Sequence, residues 1–457
     1  MFKLLVLCLF MLSGCTIGDD YAAPEAYKDK VIASELKTGS ANELPKNWYE
    51  KLNDEQLNKL IKTGLQNSPD IEAAIAKLRQ ARAQLKIDET NALPFVNVNA
   101  AWNYEKAGKN VKLSSDSHYY SAGFDASWEI DIWGKNRRQT EADTALVKSM
   151  EYSLSDVQII LEAEIVSAYV NMMKNIKLLQ TAQENERLQK QIFTAVKNKY
   201  DSGLTDDTAL NQAEYLLLTT QAAIPQYRSN IEKYTNSLSV LSGILPSSMS
   251  LQRKSSLFEK NLALKAEDAY KLPIWVVRLR PDVAASEQRL VAQNALVAKA
   301  VAELYPSLSL SAVWGFAAQS GSKLFNSSSN TYNYSPLVSL PLLDWNKLQN
   351  NIELQKGIFA ENLGDYRKTV LSAVAEIKTA ATAWKNAETT LRKKRYAVSK
   401  INKAVQNLQH KYDSGLIPFS ELLSMRQNLI ESQNEKIEAQ ADEFLQFAAF
   451  YKAIGAK

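Results

Sequence analysis

Cysteine is nearly missing from this chain, and so is histidine: there are two of each in 457 residues. Cys8 and Cys15 both lie at the very start, and His118 and His410 stand far apart. A disulfide framework is therefore excluded. A His/Cys metal cluster lacks its ligands, and no cysteine nucleophile has its histidine. Both histidines read as exposed polar residues rather than ligands. An excess of one charge is also lacking, because 54 Lys+Arg face 50 Asp+Glu, a net charge of +4. No basic block marks a nucleic-acid surface. No GxGxxG fingerprint, phosphate-binding loop or GxSxG elbow is present. Enzymatic chemistry is not visible.

The apolar run MFKLLVLCLFMLSG over residues 1–14 is too short to cross a bilayer as a helix. It fits a secretory signal peptide. The run ends in LSGC, Leu12 to Cys15, which has the form of a bacterial lipobox. That form predicts cleavage before Cys15 and a covalent lipid on its sulfur. An ordinary signal peptide with a chance cysteine is the plainer alternative. Thr16, rather than an aspartate, follows the cysteine and points to sorting toward an outer membrane.

What is present is a duplication. KYDSGL occurs at 199–204 and again at 411–416, an offset of 411 − 199 = 212 residues. At that offset Pro69-Asp70 falls on Pro281-Asp282, Pro94 on Pro306, Trp102 on Trp314 and Trp133 on Trp345. Tyr200 falls on Tyr412 and Gly203 on Gly415. The register runs from about 69 to 221 and from about 281 to 433 without a gap. The less regular stretch 243–280, with Pro246 and Pro273, joins the two copies.

Each copy changes its period twice. Residues 54–91 carry apolar side chains at helical spacing until Pro94 ends the pattern. Then FVNVNAAWNY alternates, with Val96, Val98, Ala100, Trp102 and Tyr104 opposing Asn97, Asn99 and Asn103. YSAGFDASWEIDIW alternates in the same way, and the second copy repeats both segments around Leu308–Phe316 and Tyr332–Leu340. The four strands predicted are about 95–105, 119–132, 307–318 and 331–342. Strands of about ten residues, apolar on one face and small or polar on the other, match a transmembrane β-barrel wall. A soluble antiparallel sheet packed on helices would alternate similarly. The strand aromatics read as lipid-interface anchors.

The helices are long. From Lys135 to Ser202 there is neither proline nor glycine, and Leu146, Met150, Leu154, Val157, Leu161, Ile165, Ala168, Met172, Ile176 and Leu179 step by four, four and three. Eleven residues per three turns keep that stripe nearly straight, and a helix of this length extends on the order of 95–100 Å. The second copy matches from Trp345 to about Tyr412, with Gly357 and Gly364 inside it. KYDSGL then ends each long helix. Gly203 or Gly415 supplies the left-handed turn, and a second helix starts at Asp206-Asp207-Thr208 or at Pro418-Phe419-Ser420. Each repeat therefore presents one hairpin tip. A plain fibrous coiled coil explains the helices but not the strand that feeds each one.

At this point the chain resembles the TolC family of outer-membrane factors, in its OprM-like lipoprotein branch. The resemblance is carried by NWYEKLNDEQLNKLIKTGLQNSPDIEAA at 47–74, by SWEIDIWGKNRR at 127–138, by RLRPDVAASEQRLVAQNALVAKAVAELYPSLSLSAVWG at 278–315 and by the two YDSGL hairpins. These segments occur in family order across the whole predicted mature chain.

The resemblance implies a mainly α fold with a transmembrane β-barrel. Three chains giving four strands each would close a 12-stranded barrel, and the helical hairpins would form a periplasmic α-barrel. The residues alone require some oligomer, because four strands cannot close and open edges are not tolerated in lipid. They would also allow a dimer. The domain layout expected is a signal peptide at 1–14, a lipidated N-terminal segment at 15–53, a first repeat at 54–225 with its tip at 200–207, and a connector at 226–280. A second repeat at 281–437 with its tip at 412–419 follows, then a C-terminal tail at 438–457.

The function implied is the exit duct of a tripartite efflux system. Small toxic compounds would reach it from an inner-membrane RND-type pump through a periplasmic adaptor. The expected site is the outer membrane, lipid-anchored and integral, reaching into the periplasm, with no catalysis and no cofactor beyond the lipid on Cys15. Gate candidates are Asp201, Asp206 and Asp207 at the first tip, and Asp413, Ile417 and Glu421 at the second. A ring of acids would attract cations and repel itself; helix capping is the simpler role for the same residues. The second tip departs from the family pattern, since Ile417 stands where an acid is usual, and an apolar constriction by Ile417 or Phe419 competes there. Two other functions fit the same residues, a type I protein secretion duct and a non-conducting envelope lipoprotein.

Overall fold

The computed structural model describes residues 16–23, 47–106, 117–251, 257–259, 262, 265–267 and 274–456. Cys15 and the expected signal peptide lie outside the described residues. In chain order come α1 (Glu55–Asn67), α2 (Pro69–Glu89), β1 (Phe95–Glu105), β2 (Ser117–Ile130), α3 (Lys135–Asp201) and α4 (Asp207–Leu241). The second copy supplies α5 (Pro281–Ala302), β3 (Ser307–Ala318), β4 (Asn330–Ser339), α6 (Trp345–Asp413) and α7 (Phe419–Ala453). The helical run expected over 54–91 is divided at Ser68, which is extended and precedes Pro69. Strand β4 stops at Ser339, just before Leu340 and Pro341. None of the described helices is long and apolar enough to cross a membrane.

The chain divides into two compact units. The first holds residues 16–23 with Ala76–Glu151 and Ala285–Lys368, and its centre is one antiparallel sheet in the order β1-β2-β3-β4. The pairing keeps like with like across the strands: Val98 opposes Phe124, Phe124 opposes Trp314, and Trp314 opposes Tyr332. Phe124 and Trp314 stack with ring centroids 6.0 Å apart. That face is uncovered: Val98, Trp102, Phe124, Trp314, Tyr332 and Val338 are all exposed, Val98 by 73%.

The other face is mostly small and polar, with Phe95, Tyr119, Val313 and Leu337 as its large exceptions. The amides of Asn97 and Asn99 both donate to the Asp125 carboxylate, and Asn103 donates to Ser121. Gly123 and Gly315 oppose each other there. A Cβ on either would lie 2.7 Å from the other's Cα, so the close approach of β2 and β3 requires both glycines. β1 and β4 are the edges, each paired on one side, and all ten residues of β4 are exposed.

Beside the sheet, the residues after Cys15 are fixed by the SWEIDIWGKNRR segment. The Ile17 amide donates to the Trp133 carbonyl, at 3.2 Å. The Arg138 guanidinium, buried, reaches the carbonyls of Ile17 and Gly18 and the carboxylates of Asp20 and Glu141 at 2.8–3.3 Å. Trp133 donates to the Pro306 carbonyl and lies 5.0 Å from the Tyr305 ring. Alanines make the helix contact in this unit, with Ala142 and Ala145 of α3 buried against Ala292 and Ala295 of α5.

The second unit comprises the described parts of Ala26–Ile75, Tyr152–Ala284 and Thr369–Lys457. Its apolar core gathers Trp48, Leu57, Ile61, Ile165, Tyr169, Met172, Leu238, Trp384 and Phe447. The stripe expected on α3 is buried from Leu161 to Ile176. Asp54 caps α1 through the Leu57 amide and accepts from the Tyr169 hydroxyl at 3.0 Å; Trp48 donates to Glu162 at 3.1 Å and stacks on Tyr451 at 5.5 Å. Helix α4 continues through Pro225 to Leu241, with Ile224, Ile231 and Leu238 buried on one side. Likewise α7 continues into residues 438–453, because Phe444, Phe447, Ala448 and Tyr451 form a buried helical face.

Candidate functional site

The two tips are built by one set of bonds used twice. At the first, the Gly203 amide donates to the Tyr200 carbonyl and the Leu204 amide to the Lys199 carbonyl, both at 2.8 Å. At the second, Gly415 donates to Tyr412 and Leu416 to Lys411, both at 2.9 Å. These bonds close a left-handed helix end, and Gly203 and Gly415 have φ of +73° and +70°. No atom lies within 4 Å of a Cβ built on either, so backbone conformation alone demands glycine.

The acids differ in their employment. Asp206 is the N-cap of α4, its carboxylate accepting from the Ala209 amide at 3.0 Å, and Asp207 stands in the first turn. Asp201, Asp206 and Asp207 are all exposed. At the second tip Pro418 takes the cap position without a side-chain bond, and Glu421 lies in the first turn of α7. Asp413 accepts from Gln409 at 2.8 Å. Ile417 and Phe419 are half-buried, and Phe419 packs 5.4 Å from the Tyr412 ring. Among the described residues, no group of His, Cys, Asp and Glu could hold a metal ion.

The tips also meet each other. The Lys199 ammonium donates to the Tyr412 hydroxyl at 2.9 Å and lies 5.0 Å from the centre of its ring. Lysine and tyrosine adjoin in both KYDSGL copies, and the contact takes the lysine of one and the tyrosine of the other. Tyr200 and Tyr412 align in the duplication, and the repeated Lys-Tyr pair is the one trace of this contact in the sequence. Higher up, Asn230 to Asn175 at 3.1 Å and Gln221 to Glu186 at 3.0 Å join α4 to α3. In the other hairpin, Arg426 to Gln409 and Lys394 to Glu435, both at 2.6 Å, join α7 to α6.

A second charged centre uses the RLRPD segment. Arg280, buried, donates to both carboxylate oxygens of Asp282, to Glu376 at 2.8 Å and to the Ala453 carbonyl at 2.7 Å. It borders a cavity of about 640 Å³ together with Asp156 and Lys452. Burial pushes the Asp156 carboxyl up, Asp282 adds to this, and Arg280 and Lys452 oppose it. His118 lies opposite Tyr104 in the β1–β2 ladder; His410 is exposed in the last turn of α6. Neither is brought to the other or to the acids of the tips in any described contact.

The family described as outer membrane efflux protein matches this chain in two blocks, residues 60–244 and 277–456. The chain belongs to that family. The cation efflux system protein CusC of Escherichia coli O6:H1 is 24% identical over 457 residues, covering 99% of this chain and 98% of that protein. The antibiotic efflux pump outer membrane protein ArpC of Pseudomonas putida is 25% identical over 461 residues, covering 99% and 94%. Among solved structures, the outer-membrane channel OprN aligns with a TM-score of 0.86 at 26% identity, over 97% of this chain and 99% of that one. The CmeC outer membrane channel of Campylobacter jejuni aligns at 0.84 and 24% identity, over 96% and 95%.

Proposed function

We propose that this member of the outer membrane efflux protein family is a passive trimeric exit duct. It would carry small toxic compounds across the outer membrane after an inner-membrane pump and a periplasmic adaptor deliver them to the hairpin tips. The observation that carries the reading is the four-stranded sheet, apolar and uncovered on one face, mostly small and polar on the other, with two edge strands each paired on one side only. Lipid does not tolerate such edges, so they must be satisfied by further copies. Three copies of four strands make twelve. The four strands contain no lysine or arginine, and Asp125 and Glu129 give the polar face a negative sign.

The protein has no catalytic step in this reading, and the pump supplies the energy. Its one covalent addition is a lipid on Cys15, which agrees with the printed description of SilC of Salmonella typhimurium, 24% identical, as a probable outer membrane lipoprotein. The Lys199–Tyr412 contact holds the two hairpins together in the closed state, with Asp201, Asp207, Asp413 and Glu421 exposed at the tips and Ile417 half-buried. Relatives at nearly equal identity carry names that speak of cations, antibiotics and toluene, so similarity selects no single cargo.

The test is retention of a fluorescent efflux dye in cells lacking the gene, complemented with wild type or with Gly203→Pro/Gly415→Pro. Restoration by wild type and not by the tip variant is the outcome expected. Equal retention in all strains would remove general efflux as the function.

A further inference from the structure

An open cavity of about 800 Å³ lies in the second compact unit. Arg392, Arg395 and Tyr396 of α6 line it, with Leu262 and Lys265 of the connector and Glu443 of α7. The volume is that of a small-molecule site, roughly 300–1,000 Å³. Glu388, Arg392, Arg395 and Ser399 follow each other by four, three and four residues, so one face of α6 turns into the cavity.

Among the described residues, Lys265, Arg392, Lys393 and Arg395 line it against two carboxylates, Glu388 and Glu443, an excess of 4 − 2 = 2 positive charges. None of the four cations forms an ion pair with a described residue, whereas the neighbouring Lys394 is paired with Glu435 at 2.6 Å. Glu388 is already engaged by the Ala266 amide at 3.2 Å. Apolar surface adjoins the cations: Leu262, Leu391 and the exposed ring of Tyr396, with the Lys400 ammonium 4.8 Å from its centre. Guanidinium groups with no ion-pair partner among the described residues, beside a ring and two leucines, fit one kind of ligand, an anion with an apolar body.

We infer that this cavity binds an organic anion: a sulfonate-, phosphate- or carboxylate-bearing molecule with a small apolar body. Arg392, Arg395 and Lys265 hold the charge, and Leu262, Leu391 and Tyr396 hold the body. The site stands on side chains of the second unit alone and does not depend on the export reading.

Glu443 makes the site responsive to pH. It is 7% exposed and faces Glu388, Arg392 and Arg395 from α6 and Lys265 from the connector. Burial first, then Glu388, pushes its carboxyl up to about 6, against the pull of Arg395. The same positive field acts on Lys436 of α7, which burial, then Lys177 of α3 and Arg395, push down. Protonation of Glu443 removes one negative charge from the cavity, so an anion binds more tightly as pH falls.

The probe is 2-naphthalenesulfonate, whose charge is constant across the range, titrated calorimetrically into the full-length protein in neutral detergent at pH 5 and pH 8. Inorganic sulfate supplies the charge without the body, and 2-naphthol the body without the charge. Wild type is expected to bind the sulfonate at least about tenfold more tightly than either control or than Arg392→Gln/Arg395→Gln does. Its affinity rises several-fold from pH 8 to pH 5, and Glu443→Gln binds equally at both. Absence of sulfonate binding by wild type overturns the proposal. So does equal binding by sulfate, by naphthol or by the folded double variant. Should the double variant not fold, the pH comparison of wild type with Glu443→Gln decides, and an unchanged wild-type affinity rejects the site.

Discussion

The ammonium of Lys199, at the end of α3, donates 2.9 Å to the hydroxyl of Tyr412, at the end of α6, and sits over its ring. Two copies of one ancestral turn thus contribute different halves of a single contact. It is exposed, so its strength is modest, about 0.5–1 kcal/mol. A weak exposed link between otherwise rigid helices is what a reversible closure needs.

Replacing Lys199 with Met, or Tyr412 with Leu, removes both the hydrogen bond and the ring contact without touching the turns. Amide exchange of residues 195–205 and 408–418 is expected to accelerate roughly two- to fivefold, the change that ~0.5–1 kcal/mol implies. The double variant should exchange no faster than either single one. Additive effects would mean that the two side chains act separately.

The turns themselves depend on backbone sign. Gly203→Ala or Gly415→Ala places a Cβ at positive φ in open space, a strain of about 1–2 kcal/mol without a clash. Asn at either position is expected to lose less than Ala. Thermal unfolding of the variants measures this, and equal losses for Ala and Asn would place the cause outside φ.

Arg280 has three carboxylates within its reach or field. Arg280→Met leaves Asp282 and Glu376 without their cation and removes one of the two charges that oppose the upward push on Asp156, Lys452 being the other. The Asp282 and Glu376 side chains are 28% and 57% exposed, so solvent screens the carboxylates left behind and the expected loss is about 1–2 kcal/mol. Thermal unfolding at neutral pH should register the loss, and lowering the pH should recover part of it as Asp156, whose carboxyl burial pushes up, takes up its proton.

Glu443 predicts an acid-side optimum of its own. A carboxyl raised from 4.5 to about 6 in the folded state holds its proton more tightly there than in the unfolded chain. Its stabilising contribution is therefore complete below pH 4.5 and is lost as pH rises through 6. Glu443→Gln should be more stable than wild type at pH 8 by about 1 kcal/mol after allowance for solvent screening, seen as a higher unfolding temperature, and match it near pH 4.5. A constant difference across that range would contradict this.

Much of the fold was legible because period and punctuation agree. The alternation at 95–105, the four-four-three stripe on 146–179 and the repeated KYDSGL each encode one local geometry that the folded chain uses. Helix α4 running through Pro225 was less legible, since one missing amide bond is outweighed by Ile224, Ile231 and Leu238 packing along the same side. The aromatic face at 444–451 looked like a tail because its partners, Trp48 and Trp384, are remote in sequence. At the tips, the acids were prominent in the sequence, yet Asp206 is employed as a helix cap. The Lys199–Tyr412 contact was hidden because it joins residues 213 positions apart that no local pattern links. The basic lining of the larger cavity escaped notice for a related reason: Arg392 and Arg395 gain Lys265 and Glu443 as neighbours only on folding.

Current through the purified protein in a planar bilayer tests the central claim most directly. A passive duct closed by a weak tip contact predicts discrete conductance steps from wild type, infrequent at rest, and more frequent openings of the same size from Tyr412→Phe. Properly folded protein that inserts and passes no current, in wild type and variant alike, would contradict it.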